Sequence, residues 1–204
     1  RAIANKLTET NDIPTRTNED LITNGGKQAI YNLMQIIINP GDEVIIPSPY
    51  WLSYPEIVKL AGGVPVYLPS SIDNNFSIDI DALNSLITKR TKLLILNTPG
   101  NPTGKVISKQ ELISIADIAR KHKDLAVLSD EIYEYLLDKG QKHYSFAAVA
   151  PDIKDRVFTV NGFAKAWAMT GWRIGYLSGN KDIIKAASAL QSQSTSNVCS
   201  FAQK

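Results

Sequence analysis

One lysine stands out among the side chains that could take part in chemistry. Lys165 lies in the segment NGFAKAWAMTGWRIGY, residues 161–176, where small and aromatic residues surround it. Lysine is rarely buried without a partner, so this setting predicts that something pairs with it. A partly desolvated amine near another cation, here Arg173, favours its neutral form and can attack a carbonyl group.

Other polar and aromatic side chains follow short apolar runs that are typical of strands. They are Trp51 after 43–46, Asn101 after 93–96, Asp130 and Tyr133 after 126–128, and Lys165 after 157–160. Ligands of open α/β sheets bind beyond the carboxyl ends of the strands. We therefore expect these side chains to meet at one edge of the sheet. Taken singly, each has an ordinary alternative as a core aromatic, a turn residue, a helix-terminal acid or an exposed lysine.

A glycine pair indicates an anion site. Gly25 and Gly26 precede a predicted helix at 27–38, and a helix N-terminus offers free backbone N–H groups and the positive end of its dipole. Arg173 could add a bidentate guanidinium to the same anion. A flat aromatic ligand that carries a phosphate and a carbonyl group would use all of these features.

The elements that must position these residues alternate along the chain. Apolar residues at helical spacing predict helices over 27–38, 51–61, 80–87, 108–119 and 181–191. Continuous apolar runs predict strands at 43–46, 64–68, 93–96, 126–128, 157–160 and 174–177. Such runs are typical of strands that helices cover on both faces. The pattern predicts an α/β fold, a three-layer α/β/α sandwich with a mostly parallel central sheet.

The composition excludes several other classes of protein. The 204 residues are 44% apolar and 21% charged, and the net charge is +2, which gives no reason to expect nucleic acid or a membrane as partner. One cysteine, Cys199, excludes an intrachain disulfide and favours a reducing, cytoplasmic location. His122 and His143 show no metal-ligand spacing, so we expect no metal site and interpret both as surface or loop residues.

Five motifs resemble those of the pyridoxal-phosphate aminotransferases of fold type I, in particular the bacterial-type aspartate aminotransferases. They are GGKQ at 25–28, SPYWLSYPE at 48–56, NPTG at 101–104, SDEIY at 129–133 and NGFAKAWAMTGWRIGY at 161–176. The resemblance covers nearly the whole chain. It implies the large-domain fold of that family, pyridoxal 5'-phosphate as cofactor, and transamination between an amino acid and a 2-oxo acid.

The resemblance also implies a role for each candidate catalytic residue. Lys165 would form a Schiff base with the cofactor aldehyde and afterwards move a proton. Asp130 would pair with the pyridine nitrogen and keep it protonated. Tyr133 and Asn101 would hydrogen-bond the phenolic oxygen of the ring, and Trp51 would stack on its face.

The phosphate and substrate contacts follow in the same way. Gly25, Gly26, Lys27 and Arg173 would surround the phosphate. Substrate binding would involve Trp51, Asn101 and Lys27, where Lys27 could bind a distal carboxylate instead of the phosphate.

The resemblance further implies that residues 1–204 form the cofactor-binding large domain of a longer protein, whose N-terminal segment and C-terminal small domain lie outside the sequence. Aspartate with 2-oxoglutarate is the implied substrate pair, prephenate or aromatic substrates remain open, and the implied assembly is a homodimer with a shared active site. Two other functions stay open. A carbon–sulfur β-lyase or a cyclopropane-forming synthase shares the same lysine, aspartate and asparagine, and an aminotransferase-like regulator would carry a fused DNA-binding segment.

Overall fold

The computed structural model describes all residues, Arg1–Lys204. Helices and strands alternate over most of the chain. The strands are β1 Asp20–Thr23, β2 Glu43–Ser48, β3 Val64–Pro69, β4 Thr91–Asn97, β5 Ala126–Asp130, β6 Val157–Gly162 and β7 Gly175–Ser178. The helices are α1 Ala2–Thr10, α2 Gly26–Ile37, α3 Ser53–Leu60, α4 Ile80–Leu86, α5 Lys109–Lys121, α6 Phe146–Val149 and α7 Lys181–Ser194. None of these helices is both long enough and apolar enough to span a lipid bilayer.

The strands form one seven-stranded sheet in the order β1-β7-β6-β5-β4-β2-β3. The five strands from β3 to β6 along this order run parallel, whereas β7 is antiparallel to both β6 and β1. Helical crossovers join most of the parallel strands, as parallel pairing requires. The predicted α/β fold with a mostly parallel sheet is confirmed.

Two separate apolar cores lie on the two faces of the sheet. The alternation of side chains along β2 shows this directly, because Ile45 belongs to one core and Val44 and Ile46 belong to the other. The first core takes side chains from α1, α4, α5 and α6, and the second from α2, α3 and α7. The molecule therefore has three layers, and every central strand is covered on both faces.

The helix and strand predictions agree closely with the structure. The capping box predicted at the start of α5 is present, since Ser108 Oγ accepts from Glu111 N at 3.2 Å and Glu111 Oε2 accepts from Ser108 N at 3.0 Å. Three elements were not predicted, namely α1, β1 and α6. The edge strand β1 is only four residues long and partly exposed, so its sequence DLIT lacks the continuous apolar run of a central strand.

Glycines allow β6 and β7 to pack tightly beside the start of α2. Gly162 pairs with Gly175 across the two strands. A Cβ atom on Gly175 would lie 2.5 Å from Gly26 N and 2.6 Å from the carbonyl carbon of Gly25. Because these contacts are with backbone atoms that cannot turn away, position 175 has no room for a side chain. The last strand and the first turn of α2 are thereby held in direct contact.

We expect Gly175→Ala to lower the free energy of unfolding by about 1–3 kcal/mol or more, since the added methyl group must displace backbone. Gly171→Ala is the matched control, because a Cβ there meets nothing within 4 Å. Urea unfolding of the two purified variants measures the difference. An equal loss in both variants would show that the contact between β7 and α2 is not tightly packed.

Candidate active site

A cavity of about 350 Å³ opens at the carboxyl ends of the central strands. Its volume lies in the range of small-molecule sites. The residues predicted from sequence converge on it, with Gly25 next to the wall. Its lining comprises Gly26, Lys27, Ile30, Trp51, Tyr54, Asn97, Asn101, Asp130, Ile132, Tyr133, Ala164, Lys165, Thr170 and Arg173.

Asp130 is the buried anion of this cavity. It ends β5 and is only 4% exposed. Tyr54 donates its hydroxyl to Oδ2 at 2.7 Å, and Ile132 N donates to Oδ1 at 3.2 Å, so both donors are neutral. Burial raises the pKa of Asp130 to about 6, and the hydrogen bond from Tyr54 offsets only part of this effect. A buried carboxylate with neutral donors favours a ligand that brings a positive charge.

Lys165 is the amine of the cavity. It follows β6 in a turn closed by Ala168 N, which donates to Lys165 O at 3.2 Å. Its Nζ lies 5.7 Å from the centre of the Tyr133 ring. The expectation that Lys165 is partly desolvated is wrong, because the residue is exposed. The small neighbours that let the chain turn tightly here also leave the lysine open to solvent.

An amide and a phenol meet in the cavity wall. Asn97, the last residue of β4, donates from Nδ2 to Asp130 O at 3.0 Å and accepts from Asn101 N at 2.7 Å. This arrangement holds the loop after β4, so that Asn101 Nδ2 lies 3.5 Å from the hydroxyl of Tyr133. Two donors at this separation can both reach one oxygen atom of a ligand.

The positively charged end of the cavity lies at the start of α2. Gly25 has φ +82°, and a Cβ atom there would overlap the guanidinium of Arg173. Arg173 has φ +53°, which is rare for a residue with a side chain, and donates to Asn24 O at 3.2 Å and to Thr170 O at 3.1 Å. The guanidinium therefore lies directly beside the first turn of α2, where the N–H groups of Gly26 and Lys27 have no carbonyl one turn earlier in the helix to bond. Together they form a cradle for an anion.

Trp51 and Lys27 form a further part of the wall. The ammonium of Lys27 lies 5.0 Å from the centre of the Trp51 ring, a cation–π distance. Trp51 packs edge-on against Tyr54, with ring centres 5.3 Å apart. Because Tyr54 in turn donates to Asp130, one aromatic pair connects this wall to the buried anion.

Sequence analysis missed several residues that support the site. Tyr54 was not among the predicted site residues, although its place in the SPYWLSYPE motif, three residues after Trp51, was a signal. His143 lies in a loop, as predicted, but its side chain is only 8% exposed and its Nε2 lies 3.1 Å from Glu131 Oε2. The loop at 141–145 folds back onto the buried Glu131, a tertiary contact that no local spacing indicates.

Comparison with known proteins identifies the family. The family model of the class I and II aminotransferases matches residues 1–204. The chain belongs to this family. A probable aspartate/prephenate aminotransferase of Rickettsia bellii is 52% identical over 202 residues, which are 99% of this chain and 51% of the relative. The aspartate aminotransferase of Bacillus subtilis is 45% identical over 202 residues, again 99% of this chain and 51% of the relative.

A solved structure agrees with these relatives. The aspartate aminotransferase of Thermus thermophilus with maleate is 48% identical and superimposes with a TM-score of 0.94 over 99% of this chain and 52% of that one. The chain thus spans about half the length of the aminotransferases that it matches. The aminotransferase relationship inferred from the five motifs is confirmed.

The raised pKa of Asp130 predicts that the free energy of unfolding of the protein without cofactor depends on pH. The pKa is about 6 in the fold against an ordinary value of 3.8, so folding is penalised above about pH 6 and the penalty disappears below about pH 4. Asp130→Asn should therefore be more stable than the parent by up to about 3 kcal/mol near pH 8, and equally stable at about pH 3.5. Urea unfolding across this pH range measures the difference.

Tyr54→Phe is a second variant, whose stability should change in the opposite direction from that of Asp130→Asn. Loss of the hydroxyl donor should raise the pKa of Asp130 further, so that stability falls over a range that extends to higher pH. An Asp130→Asn protein that is less stable than the parent near pH 8 would contradict the assignment of Asp130 as an uncompensated buried anion.

Proposed function

We propose that this chain is the cofactor-binding large domain of an aspartate aminotransferase that uses pyridoxal 5'-phosphate, with aspartate and 2-oxoglutarate as substrates. The observation that carries the proposal is the convergence of an amine, a buried anion and an anion cradle on one cavity. These are Lys165, Asp130, and the Gly25–Gly26 turn with Arg173. The names of the relatives favour transamination over the lyase and regulatory alternatives.

The residues present fit the cofactor group by group. The buried carboxylate of Asp130 lacks a cation, and a protonated pyridine nitrogen would supply one. The cradle at the start of α2 is complementary to a phosphate, and the donor pair Asn101–Tyr133 to a phenolic oxygen. Lys165 supplies the amine that would hold an aldehyde carbon covalently.

The roles of the side chains in the reaction follow from these positions. The cofactor, when bound, supplies an electron sink for the charge that develops as the substrate α-carbon loses its proton. Lys165 Nζ would accept that proton and later return it, which requires an uncharged amine at the cavity. Asp130 would keep the proton on the ring nitrogen, because its buried negative charge favours the charged partner. Trp51 would limit the movement of the ring and exclude water from one side of it.

We further propose that the intact protein includes a small domain and a partner subunit that this chain does not contain. The chain spans about half the length of its relatives, which leaves room for a small domain. The homodimer with a shared active site that the resemblance implies is part of the same proposal. Lys27 is the group on this chain that would bind the distal carboxylate of aspartate. It makes no hydrogen bond with an acidic side chain and lies over Trp51, which leaves its charge available.

Borohydride reduction tests the attachment site. If Lys165 holds the cofactor, reduction of the protein with bound pyridoxal phosphate followed by peptide mapping should place the pyridoxyl mass on Lys165 alone. Lys165→Ala should lose the label and at least about a hundredfold in turnover, since the same amine moves the proton. A label on any other lysine of the parent protein would rule out this assignment.

Lys27→Ala tests the substrate assignment in the intact protein. If Lys27 binds the distal carboxylate, kcat/KM for aspartate should fall about ten- to a hundredfold. This factor corresponds to the free energy that a charge-assisted hydrogen bond contributes. An aromatic amino donor, which lacks that carboxylate, is the matched control and should lose little. Equal losses for both donors, together with weaker retention of the cofactor, would instead assign Lys27 to the phosphate.

A further inference from the structure

A second buried carboxylate lies directly behind the site. Glu134 is 6% exposed and accepts hydrogen bonds from three side chains on two distant segments. Asn161 Nδ2 donates to its Oε1 at 2.8 Å, where Lys6 Nζ also forms an ion pair, and Asn11 Nδ2 donates to Oε2 at 2.7 Å. Helix α1, the residue that follows it and the end of β6 therefore meet on one carboxylate.

Glu134 also belongs to the turn that presents Tyr133 to the cavity. Its backbone N–H donates to Glu131 O at 2.9 Å, and Glu131 N donates to Val160 O at 2.8 Å, next to Asn161. Asn161 Oδ1 accepts from Gly162 N at 2.7 Å, only three residues before Lys165. The carboxylate of Glu134 thus connects the turn of Tyr133 to the strand end that leads to Lys165.

Glu131 anchors the other side of the same turn. Its carboxylate is fully buried and accepts from Ser129 Oγ at 2.8 Å, Ser145 Oγ at 2.6 Å and Phe146 N at 3.2 Å, with His143 beside it. Burial alone would raise the pKa of Glu131, but the hydrogen bonds, above all that with His143, outweigh it and lower the pKa. The turn is therefore held by two buried carboxylates that lie outside the cavity lining.

The network around Glu134 is not organised as a metal site. Ligand atoms of Glu131, Glu134 and His143 lie within 4.8 Å of one another. The ammonium of Lys6, however, already contacts Glu134 and supplies the compensating positive charge. Buried charges are costly unless they are paired and fully hydrogen-bonded, and a satisfied network of this kind makes its surroundings rigid.

We propose that Glu134 is a positioning residue, which fixes Tyr133 relative to Lys165 and ties both to α1 through Lys6 and Asn11. Glu134 does not line the cavity, so it acts only through the residues that it holds. This inference rests on the proposed function. It predicts that the phenol of Tyr133 moves away from the cofactor oxygen when Glu134 cannot accept hydrogen bonds from all three of its donor side chains.

Glu134→Gln in the intact protein tests the proposal, because Gln keeps the shape but replaces one acceptor oxygen by a donor. We expect kcat to fall about ten- to a hundredfold, the order of effect that small misplacements cause. The pH midpoint of the bound cofactor's absorbance should move in the same direction as in Tyr133→Phe. Glu134→Gln combined with Tyr133→Phe should lose little more than Tyr133→Phe alone, since one effect acts through the other.

Glu43→Gln is the matched control. Glu43 is 5% exposed and accepts hydrogen bonds from Thr88, Thr91 and Arg90. It lies at the amino end of β2, whereas the cavity lies at the carboxyl ends of the strands. This variant should lose stability without any shift of the absorbance midpoint. If Glu134→Gln fails to fold, Asn161→Ala removes one donor while the pair of Glu134 with Lys6 remains, and the same shift is expected.

Two results would overturn the proposal. One is an unchanged absorbance midpoint in a folded Glu134→Gln or Asn161→Ala protein that still binds the cofactor on Lys165; that result leaves the proposed function intact. The other is additive loss of kcat in the double variant, which would show that Glu134 does not act through Tyr133. A parent protein that takes up no cofactor at all would overturn both the proposed function and this inference.

Discussion

The carboxylate of Asp130 is the constraint on which the rest of the site depends. It lies at the end of a central strand, where a charge without a cationic partner costs free energy. Two segments bond this carboxylate, namely α3 through Tyr54 and the turn after β5 through Ile132 N. The backbone carbonyl of the same residue accepts from Asn97 Nδ2 at 3.0 Å and Thr98 N at 3.1 Å, which hold the end of β4 beside it. A residue that destabilises the fold and organises its neighbours is typical of a functional site.

The charges around Asp130 make the cavity electrostatically asymmetric, with a negative part and a positive part. The anion is buried at the floor, whereas the cations Arg173 and Lys165 are exposed at its margin. A ligand with a positive ring nitrogen and a negative phosphate would align with this field in one orientation only. The exposed amine of Lys165 adds a group that would bind an aldehyde carbon, which is why we propose pyridoxal phosphate rather than an unspecified anion.

The polar residues behind the cavity explain how exposed groups can be positioned precisely. Lys165 and Tyr133 each lie in a short turn, so neither is fixed by regular secondary structure. The buried carboxylates of Glu131 and Glu134 hold these turns from outside the cavity, through donors on β6, α1 and the loop at 141–145. Glycines complete the arrangement, because β7 can approach the start of α2 only where no side chain intervenes.

The sequence alone determined the layered fold, most helices and strands, and more than half of the residues that line the cavity. It could do so because apolar periodicity, capping and strand-end position are local properties, and the parallel topology brings the strand ends together. Only the tertiary structure decided the antiparallel direction of β7 between β6 and β1, the bond from Tyr54 to Asp130 and the burial of the His143 side chain. Each of these depends on contacts between segments far apart in the chain. For example, the hydrogen bond between Asn161 and Glu134 joins side chains that the pairing of β5 with β6 brings together. No local sequence pattern predicts this bond.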